Sequence, residues 1–263
     1  MKKLIFQVAV GQISKLYDFC VKSVEDYAKE VGADYILLRE PKLKIKPNPA
    51  TSNRSKASWQ KYGGYLPIYE KENIFEHINN YDQLCVIDAD IWVRPGSPDI
   101  FTQVDQTHDL GAVFERELPL NKKYRRQTVD YSKKQLTPLK EYDWKWNPST
   151  GGEYFNSGVI VYNSANMKKY LRNETPSEFM KRPEFQPFVD GVGAWKWQTD
   201  QIMLTYWAKK ESMNVKHLDW KYNSLFKAVD PHITKQSHFI HFFMKDLLPK
   251  KGENIEELIK LIQ

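Results

Sequence analysis

Short apolar runs alternate with segments of helical spacing at the start of the chain. The apolar runs at 4–10 and 35–38 predict two strands. Between them, apolar side chains recur at helical spacing over 16–31, and Gly32 follows as a helix stop signal. A strand, a helix and a second strand in this order predict a parallel pair with a crossover helix, and therefore an α/β fold.

The same reasoning extends over the rest of the chain, in which no internal repeat is visible. It predicts strands at 84–93, 110–114, 154–163 and 238–243, and helices at 59–80 (with a break near Pro67), 167–180, 201–210 and 255–262. Two segments lack periodicity. Residues 41–58 are rich in Lys, Pro, Asn and Ser and predict a loop, whereas the polar, basic stretch 115–153 predicts a long irregular functional loop.

The strongest chemical signal is a pair of aspartates, Asp88 and Asp90, inside the apolar run at 84–93. If this run is a buried strand, both carboxylates emerge where the strand leaves the sheet. Hard oxygen ligands suit Mg²⁺ or Mn²⁺, and an ion held by one or two carboxylates keeps positions open for phosphate oxygens. The pair therefore predicts a metal site for a nucleoside diphosphate. The alternative is a turn in which Asp88 caps a backbone amide and Asp90 faces water.

The positive charge of the chain favours an anionic ligand, and its aromatic content favours a carbohydrate or a nucleobase. The net charge is +6, and the most basic patch comprises 121–126 with Lys133 and Lys134. This patch is a solvated loop, a surface for nucleic acid or anionic glycan, or a basic loop that closes over an anionic donor. No helix-turn-helix, zinc-finger or RNA-recognition signature accompanies it, so we expect no nucleic-acid partner. Eight tryptophans, several in polar segments, are typical of carbohydrate and nucleobase sites.

Cysteine usage and hydropathy bear on the compartment. Cys20 and Cys85 lie in apolar segments, so we expect no disulfide and a reducing environment. No run approaches 18 apolar residues, and the first apolar stretch turns polar at Gln7. We therefore expect a soluble, cytoplasmic protein without a signal peptide or a transmembrane segment. The absence of a GxGxxG fingerprint and of a Walker loop argues against dehydrogenases and P-loop NTPases.

Five short motifs, taken in order, resemble the GT-A fold glycosyltransferases that use nucleotide-sugar donors, most nearly the retaining family 8 type. They are Trp59-Gln60-Lys61, Ile87-Asp88-Ala89-Asp90, Phe155-Asn156-Ser157-Gly158-Val159, Asp200-Gln201, and Ile240-His241-Phe242 followed by Lys245. The resemblance implies one GT-A (Rossmann-like) domain over 1–263, with a mixed, mostly parallel central sheet flanked by helices. Residues 1–114 would then form the nucleotide- and donor-binding half, and 154–263 the acceptor side with a C-terminal helix.

The resemblance also implies a metal and phosphate site. Asp88, Asp90 and His241 would hold a divalent cation, Mn²⁺ or Mg²⁺, although a histidine in an apolar strand is otherwise a packed core residue. Strand alternation sends His238 to the face opposite His241. Donor binding would fall to Asp88, Lys61, Lys245 and Ser157. Relatives typically have a glycine where this chain has Phe243-Met244.

The catalytic residues that the resemblance implies are Asn156, Asp200 and Gln201, which would face the sugar and the acceptor. An alternative interpretation makes Asp200 or Thr199 the N-cap of the helix at 201–210. If the reaction inverts the anomeric centre, Asp200 becomes the natural general base.

The function implied in this way is metal-dependent transfer of a hexose from a nucleoside diphosphate sugar, a UDP-sugar, to a hydroxyl of a carbohydrate acceptor, with retention. Two alternatives stay open. One is a nucleotidyltransferase or nucleotide-sugar pyrophosphorylase, which would require a glycine-rich basic loop after the first strand, and residues 11–15 match this poorly. The other is a non-catalytic basic module that binds glycan or nucleic acid through 122–134.

Overall fold

A computed structural model of the protein describes residues 1–11, 13–50, 52, 63–197 and 200–263. Within these ranges, nine strands fall into two sheets. The central sheet contains β1 (Lys3–Val8), β2 (Asp34–Leu38), β3 (Gln83–Ile87), β5 (Leu110–Phe114), β6 (Phe155–Asn163) and β7 (Val215–His217). The smaller sheet contains β4 (Ile91–Val93), β8 (Ser224–Leu225) and β9 (Phe239–His241).

The central sheet has the strand order β2-β1-β3-β6-β5-β7. β1 pairs in parallel with β2 and β3, and β5 pairs in parallel with β7, whereas β6 runs antiparallel to both of its neighbours. All residues of β3 and β6 are buried, as expected for strands covered on both faces. The predicted α/β fold with a mixed, mostly parallel sheet is confirmed.

Eight α-helices in the described residues flank these sheets. They are α1 (Lys15–Glu30), α2 (Lys122–Leu136), α3 (Ser164–Leu171), α4 (Pro176–Met180), α5 (Gln186–Asp190), α6 (Gln201–Lys210), α7 (Pro231–Gln236) and α8 (Ile255–Ile262). Alternate residues of β3 enter two different cores: Leu84 and Val86 pack in one, Cys85 and Ile87 in the other. This alternation follows from the two-residue period of a strand.

The apolar run at 84–93 is not the single strand that its composition predicts. It is divided between β3 and β4, which belong to different sheets. The connection between them contains Asp88 and Asp90, and the backbone N–H of Ile91 donates to the carbonyl of Asp88 across it. The two carboxylates therefore lie where the chain leaves the central sheet, with each side of the connection anchored by strand pairing.

The irregular loop expected at 115–153 is wrong for residues 122–136, which form α2. The side chain of Asn121 caps this helix by accepting from the N–H of Tyr124. Three of the four residues that α2 buries are polar: Thr128, Ser132 and Gln135. Because the buried stripe is polar, hydrophobic periodicity could not reveal the helix.

Two further helix predictions require correction. The helix expected at 167–180 is two helices, α3 and α4, interrupted where Arg172 and Asn173 adopt positive φ. Within the helix expected at 59–80, the described part forms a 3₁₀ helix at Pro67–His77, which begins at the proline that the sequence marked as a break. Residues 53–62 lie outside the described residues.

Both cysteines are buried and free, in agreement with the expectation of no disulfide. Among the described helices, none has the length and apolar character needed to cross a membrane.

Candidate active site

A cavity of about 620 Å³ opens at the end of the central sheet where β1 and β3 terminate. Val8 and Val10 line it on the β1 side, and Asp88, Ala89 and Asp90 line it after β3. The volume is within the range of small-molecule and cofactor sites, which are mostly apolar clefts with a few convergent polar groups. In open α/β sheets, ligands bind at this end of the strands.

Three potential metal ligands converge in this cavity: Asp88, Asp90 and His241. One ligand atom from each lies within 4.8 Å of those of the other two. The Nε2 atom of His241 is 3.3 Å from Oδ1 of Asp90 and 3.9 Å from Oδ2 of Asp88. Strand pairing brings them together, because His241 in β9 is the register partner of Ile91 in β4, directly after Asp90.

The electrostatics of these groups favour a cation between them. Burial raises the pKa of the Asp90 carboxyl, but His241 and Lys245 outweigh that effect and lower the pKa below its ordinary value. Burial lowers the pKa of the His241 imidazole, but Asp90 and Asp88 outweigh it and raise the pKa. Asp90 is thus ionised and the ring nitrogen of His241 is held against it, an arrangement that positive charge between them stabilises.

Lys245 lies beside this cluster, as the resemblance implied, but it is not free. Its Nζ is 3.0 Å from Oδ2 of Asp90 and 4.8 Å from the centre of the Tyr17 ring. The Lys245 side chain is 38% exposed and lines the cavity, which leaves it accessible to an incoming anion. His238, by contrast, packs against Tyr222 outside the cavity.

Lys71, a buried lysine that was not predicted from the sequence, links Asp88 to Asp200. The Nζ of Lys71 lies 3.0 Å from Oδ1 of Asp88 and 2.7 Å from Oδ2 of Asp200. It also contacts the carbonyl and the hydroxyl of Ser157. Burial lowers the pKa of Lys71, but Asp200 and Asp88 outweigh it and raise the pKa above its ordinary value. Lys71 is therefore charged at the floor of the cavity.

Asp200 is the N-cap residue of α6, but its side chain makes no capping hydrogen bond. Instead, Oδ1 accepts from the hydroxyl of Ser157 at 3.0 Å, and Oδ2 pairs with Lys71. The side chain is only 2% exposed, and burial raises its pKa more than Lys71 lowers it. Gln201 follows as the first residue of α6 and lines the cavity, where its side chain hydrogen bonds with Tyr131. Thr199, the other candidate cap, lies outside the described residues.

Asn156 is held in a chain of side-chain hydrogen bonds that ends at the candidate metal ligands. Its Nδ2 donates to Oε1 of Glu115 at 2.6 Å, and its Oδ1 accepts from Asn223 at 2.8 Å. Asn223 in turn contacts Nδ1 of His241 at 3.0 Å through its Oδ1. Burial raises the pKa of Glu115, which also lines the cavity.

The structure brings eight of the nine predicted site residues to the same cavity. They are Asp88, Asp90, Asn156, Ser157, Asp200, Gln201, His241 and Lys245. The ninth, Lys61, lies outside the described residues, as do Trp59 and Gln60. Sequence reasoning missed Lys71, Glu115 and Asn223. The sequence shows only that the polar run Glu70-Lys71-Glu72-Asn73 lies between two apolar pairs, and the structure adds that all four residues are buried.

The basic segment at 122–134 also borders the cavity, although as a helix. Tyr124, Gln127, Thr128 and Tyr131 of α2 line the cavity wall. The basic residues Lys122, Lys123, Arg126, Lys133 and Lys134 are exposed on the rest of the helix. α2 therefore presents tyrosines and polar groups to the cavity and positive charge to solvent.

Several glycosyltransferases of known structure share this architecture. The chain is similar to the galactosyltransferase LgtC in complex with donor and acceptor sugar analogues, at 16% identity and a TM-score of 0.57, over 98% of this chain and 95% of that chain. The chain has a GT-A glycosyltransferase fold. The GT-A fold also relates it to the bifunctional glycosyltransferase WbbM, at 14% identity and a TM-score of 0.55, over 99% of this chain and 49% of that chain.

A third structure with this GT-A fold is mouse xyloside xylosyltransferase 1, at 13% identity and a TM-score of 0.50, over 94% of this chain and 99% of that chain. No protein-family model matches the chain, and no curated protein sequence matches it. The GT-A fold that the five sequence motifs implied is thus confirmed by structural similarity.

Proposed function

We propose that this protein is a metal-dependent glycosyltransferase of the retaining, family 8 type, which moves a hexose from a UDP-sugar to a hydroxyl of a carbohydrate acceptor. The observation that carries the proposal is the convergence of Asp88, Asp90 and His241 at the floor of a cavity of about 620 Å³. The GT-A fold supports a nucleotide-sugar donor in that cavity.

The donor set fits a hard divalent cation. Two carboxylates and one imidazole are ligands that Mn²⁺ accepts, and Mg²⁺ accepts the carboxylates. When bound, such an ion neutralises charge on the departing nucleoside diphosphate. Lys245 contributes a second positive charge on the open side of Asp90 and can exchange this carboxylate for a phosphate oxygen. Val8 and Val10 provide apolar surface for the nucleoside at the end of β1.

The polar floor of the cavity suits the transferred sugar. Lys71 holds Asp88 and Asp200 in fixed positions, and Asn156, Ser157 and Gln201 add amide and hydroxyl groups that can bind sugar hydroxyls. Such preorganised polar groups orient the anomeric carbon for attack.

Retention is supported by the state of Asp200. A general base in an inverting reaction needs a carboxylate oxygen within reach of the acceptor hydroxyl. Both oxygens of Asp200 are engaged, one by Ser157 and the other by Lys71. Asp200 therefore acts as a positioning group, and the amide of Gln201 lies at the sugar face.

A donor screen tests this proposal. Isothermal titration calorimetry of the purified protein with UDP-, GDP- and ADP-sugars, with and without Mn²⁺, should show metal-dependent binding of a UDP-sugar. Incubation of that donor with a panel of saccharides, followed by NMR of the product, should show the donor's anomeric configuration retained. Binding of no nucleotide sugar in the presence of Mn²⁺ would overturn the proposal, and an inverted product would overturn its retaining part.

A further inference from the structure

We propose that Asn223 is a positioning residue that holds His241 in the one tautomer whose Nε2 can bind a divalent cation. The inference rests on the proposed function, because it assigns a purpose to Asn223 within the proposed metal site. It depends on the direction of each hydrogen bond in the chain Gly158–Asn156–Asn223–His241.

A backbone N–H group fixes the orientation of the Asn156 side-chain amide. The N–H of Gly158 is a donor only, and it lies 2.9 Å from Oδ1 of Asn156. This atom must therefore be the amide oxygen, because an amide nitrogen there would place two donors against each other. The amide nitrogen of Asn156 then faces the carboxylate of Glu115 at 2.6 Å, where an acceptor is present.

The orientation of the Asn223 amide follows from that of Asn156. Oδ1 of Asn156 has a second lone pair, and the group of Asn223 that faces it at 2.8 Å must donate. This group is the amide nitrogen of Asn223, so its oxygen faces Nδ1 of His241 at 3.0 Å. An oxygen acceptor at that position requires hydrogen on Nδ1. The remaining nitrogen, Nε2, points toward Asp90 and Asp88 and is the one available to a metal ion.

Burial makes this arrangement rigid. Asn223 is fully buried, Asn156 is 7% exposed and His241 is 6% exposed, so water cannot easily replace a lost partner. The ring also packs directly over the backbone of β6: a Cβ atom at Gly158 would lie 2.8 Å from Cε1 and 2.9 Å from Nδ1 of His241. The glycine thus permits the approach, and the two asparagines set the orientation of the ring.

The test measures Mn²⁺ affinity by calorimetry for the wild type, Asn223→Ala and Asn223→Asp, with thermal unfolding recorded for each. Loss of a partner that orients a metal-bound histidine typically costs about 10–100-fold in metal affinity, and we expect this loss in Asn223→Ala. Asn223→Asp retains an oxygen that accepts from Nδ1 but places its second oxygen against Oδ1 of Asn156, so we expect it to be less stable than the wild type and yet to bind Mn²⁺ about 10-fold more tightly than Asn223→Ala. If Asn223 were only structural, Asn223→Asp should bind Mn²⁺ more weakly than Asn223→Ala, since a buried charge destabilises the fold more than a small cavity does.

Asn163→Ala is the matched control. Asn163 is also fully buried and also donates through its amide, to the carbonyls of Asp105 and His108, but it lies at the other end of β6. We expect it to lower the melting temperature without changing Mn²⁺ affinity. Equal affinities in the wild type and Asn223→Ala, or an equal loss in Asn163→Ala, would overturn the role of Asn223 alone. Absence of Mn²⁺ binding to the wild type would overturn the proposed metal site and this inference together.

Discussion

The Nζ of Lys71 lies 2.7 Å from Oδ2 of Asp200, and both side chains are almost fully buried at the cavity floor. Asp88 is the second partner of the same ammonium group at 3.0 Å. One lysine therefore joins the loop after β3 to the start of α6, two segments far apart in the chain. This contact couples the position of a candidate metal ligand to that of the residue next to Gln201.

Removal of the ammonium group should be strongly destabilising. Lys71→Met leaves the buried carboxyl group of Asp200 without its partner, and such losses typically cost about 3–5 kcal/mol in the free energy of unfolding. Urea denaturation measures this loss. Lys210→Met is the matched control, because Lys210 pairs with Glu184 at the same 2.7 Å distance but at the surface, where pairs contribute about 1 kcal/mol or less. Equal losses in the two variants would contradict a buried, charged Lys71.

Glu72 should make the free energy of unfolding depend on pH. Its carboxyl group is buried, neither oxygen has a hydrogen-bond partner among the described residues, and burial raises its pKa well above the ordinary value. Above the pKa of about 4.3 in the unfolded chain, the folded state therefore holds a proton that the unfolded state releases.

The direction of the pH dependence of the free energy of unfolding follows from this difference in the number of protons bound. The free energy of unfolding should fall as pH rises from about 4.3 toward the folded-state pKa, by up to about 1.4 kcal/mol per pH unit. Glu72→Gln should remove this contribution and flatten the profile. Urea denaturation at a series of pH values compares the two proteins, and identical slopes would show that Glu72 is ionised in the folded state.

Gly158→Ala should displace the imidazole of His241, since the new Cβ would lie within 3 Å of two ring atoms. We expect Mn²⁺ affinity to fall by about 10–100-fold, as for other changes that misorient a ligand. Gly111→Ala is the control, because Gly111 lies in the neighbouring strand β5 and its Cβ would meet the side chain of Val104, away from the site. Calorimetry should show weaker Mn²⁺ binding in the first variant only.

Lys245→Ala should separate phosphate binding from metal binding. We expect UDP affinity in the presence of Mn²⁺ to fall by about 10–100-fold, the equivalent of one charge-assisted hydrogen bond of about 1.5–3 kcal/mol. Affinity for Mn²⁺ alone should not fall, because Asp90 loses a competing cation. Lys251→Ala, which removes a pair with Asp246 at the surface, serves as the control. A parallel loss of Mn²⁺ and UDP affinity would assign Lys245 a structural role.

The parts of the fold that sequence could predict are those whose side-chain pattern matches their burial. β1, β5 and β6 are apolar runs buried on both faces or nearly so, β2 is a half-buried apolar run at the sheet edge, and α1 has a clear apolar stripe. α2 could not be predicted, because Thr128, Ser132 and Gln135 face the interior. The division at Asp88 was also invisible, since apolar residues continue on both sides of it.

In the candidate site, too, some residues could be predicted from the sequence and others could not. The three residues Asp88, Asp90 and His241 could be proposed as one group because they belong to short motifs whose order along the chain resembles that of a known family. Lys71 and Asn223 belong to no such motif, and their importance lies in burial and in contacts between distant segments. Only tertiary structure reveals which lysine is buried against two carboxylates, or which asparagine meets the far side of an imidazole.

If the proposed function is right, Asp88, Asp90 and His241 hold one divalent cation that binds a nucleoside diphosphate. Electron paramagnetic resonance of free Mn²⁺, titrated against the protein in the presence of UDP, counts the bound ions directly. We expect one Mn²⁺ per chain in the wild type and its loss in Asp90→Ala, with the fold of the variant verified by circular dichroism. Equal Mn²⁺ binding by the two proteins, or none by the wild type, would contradict it.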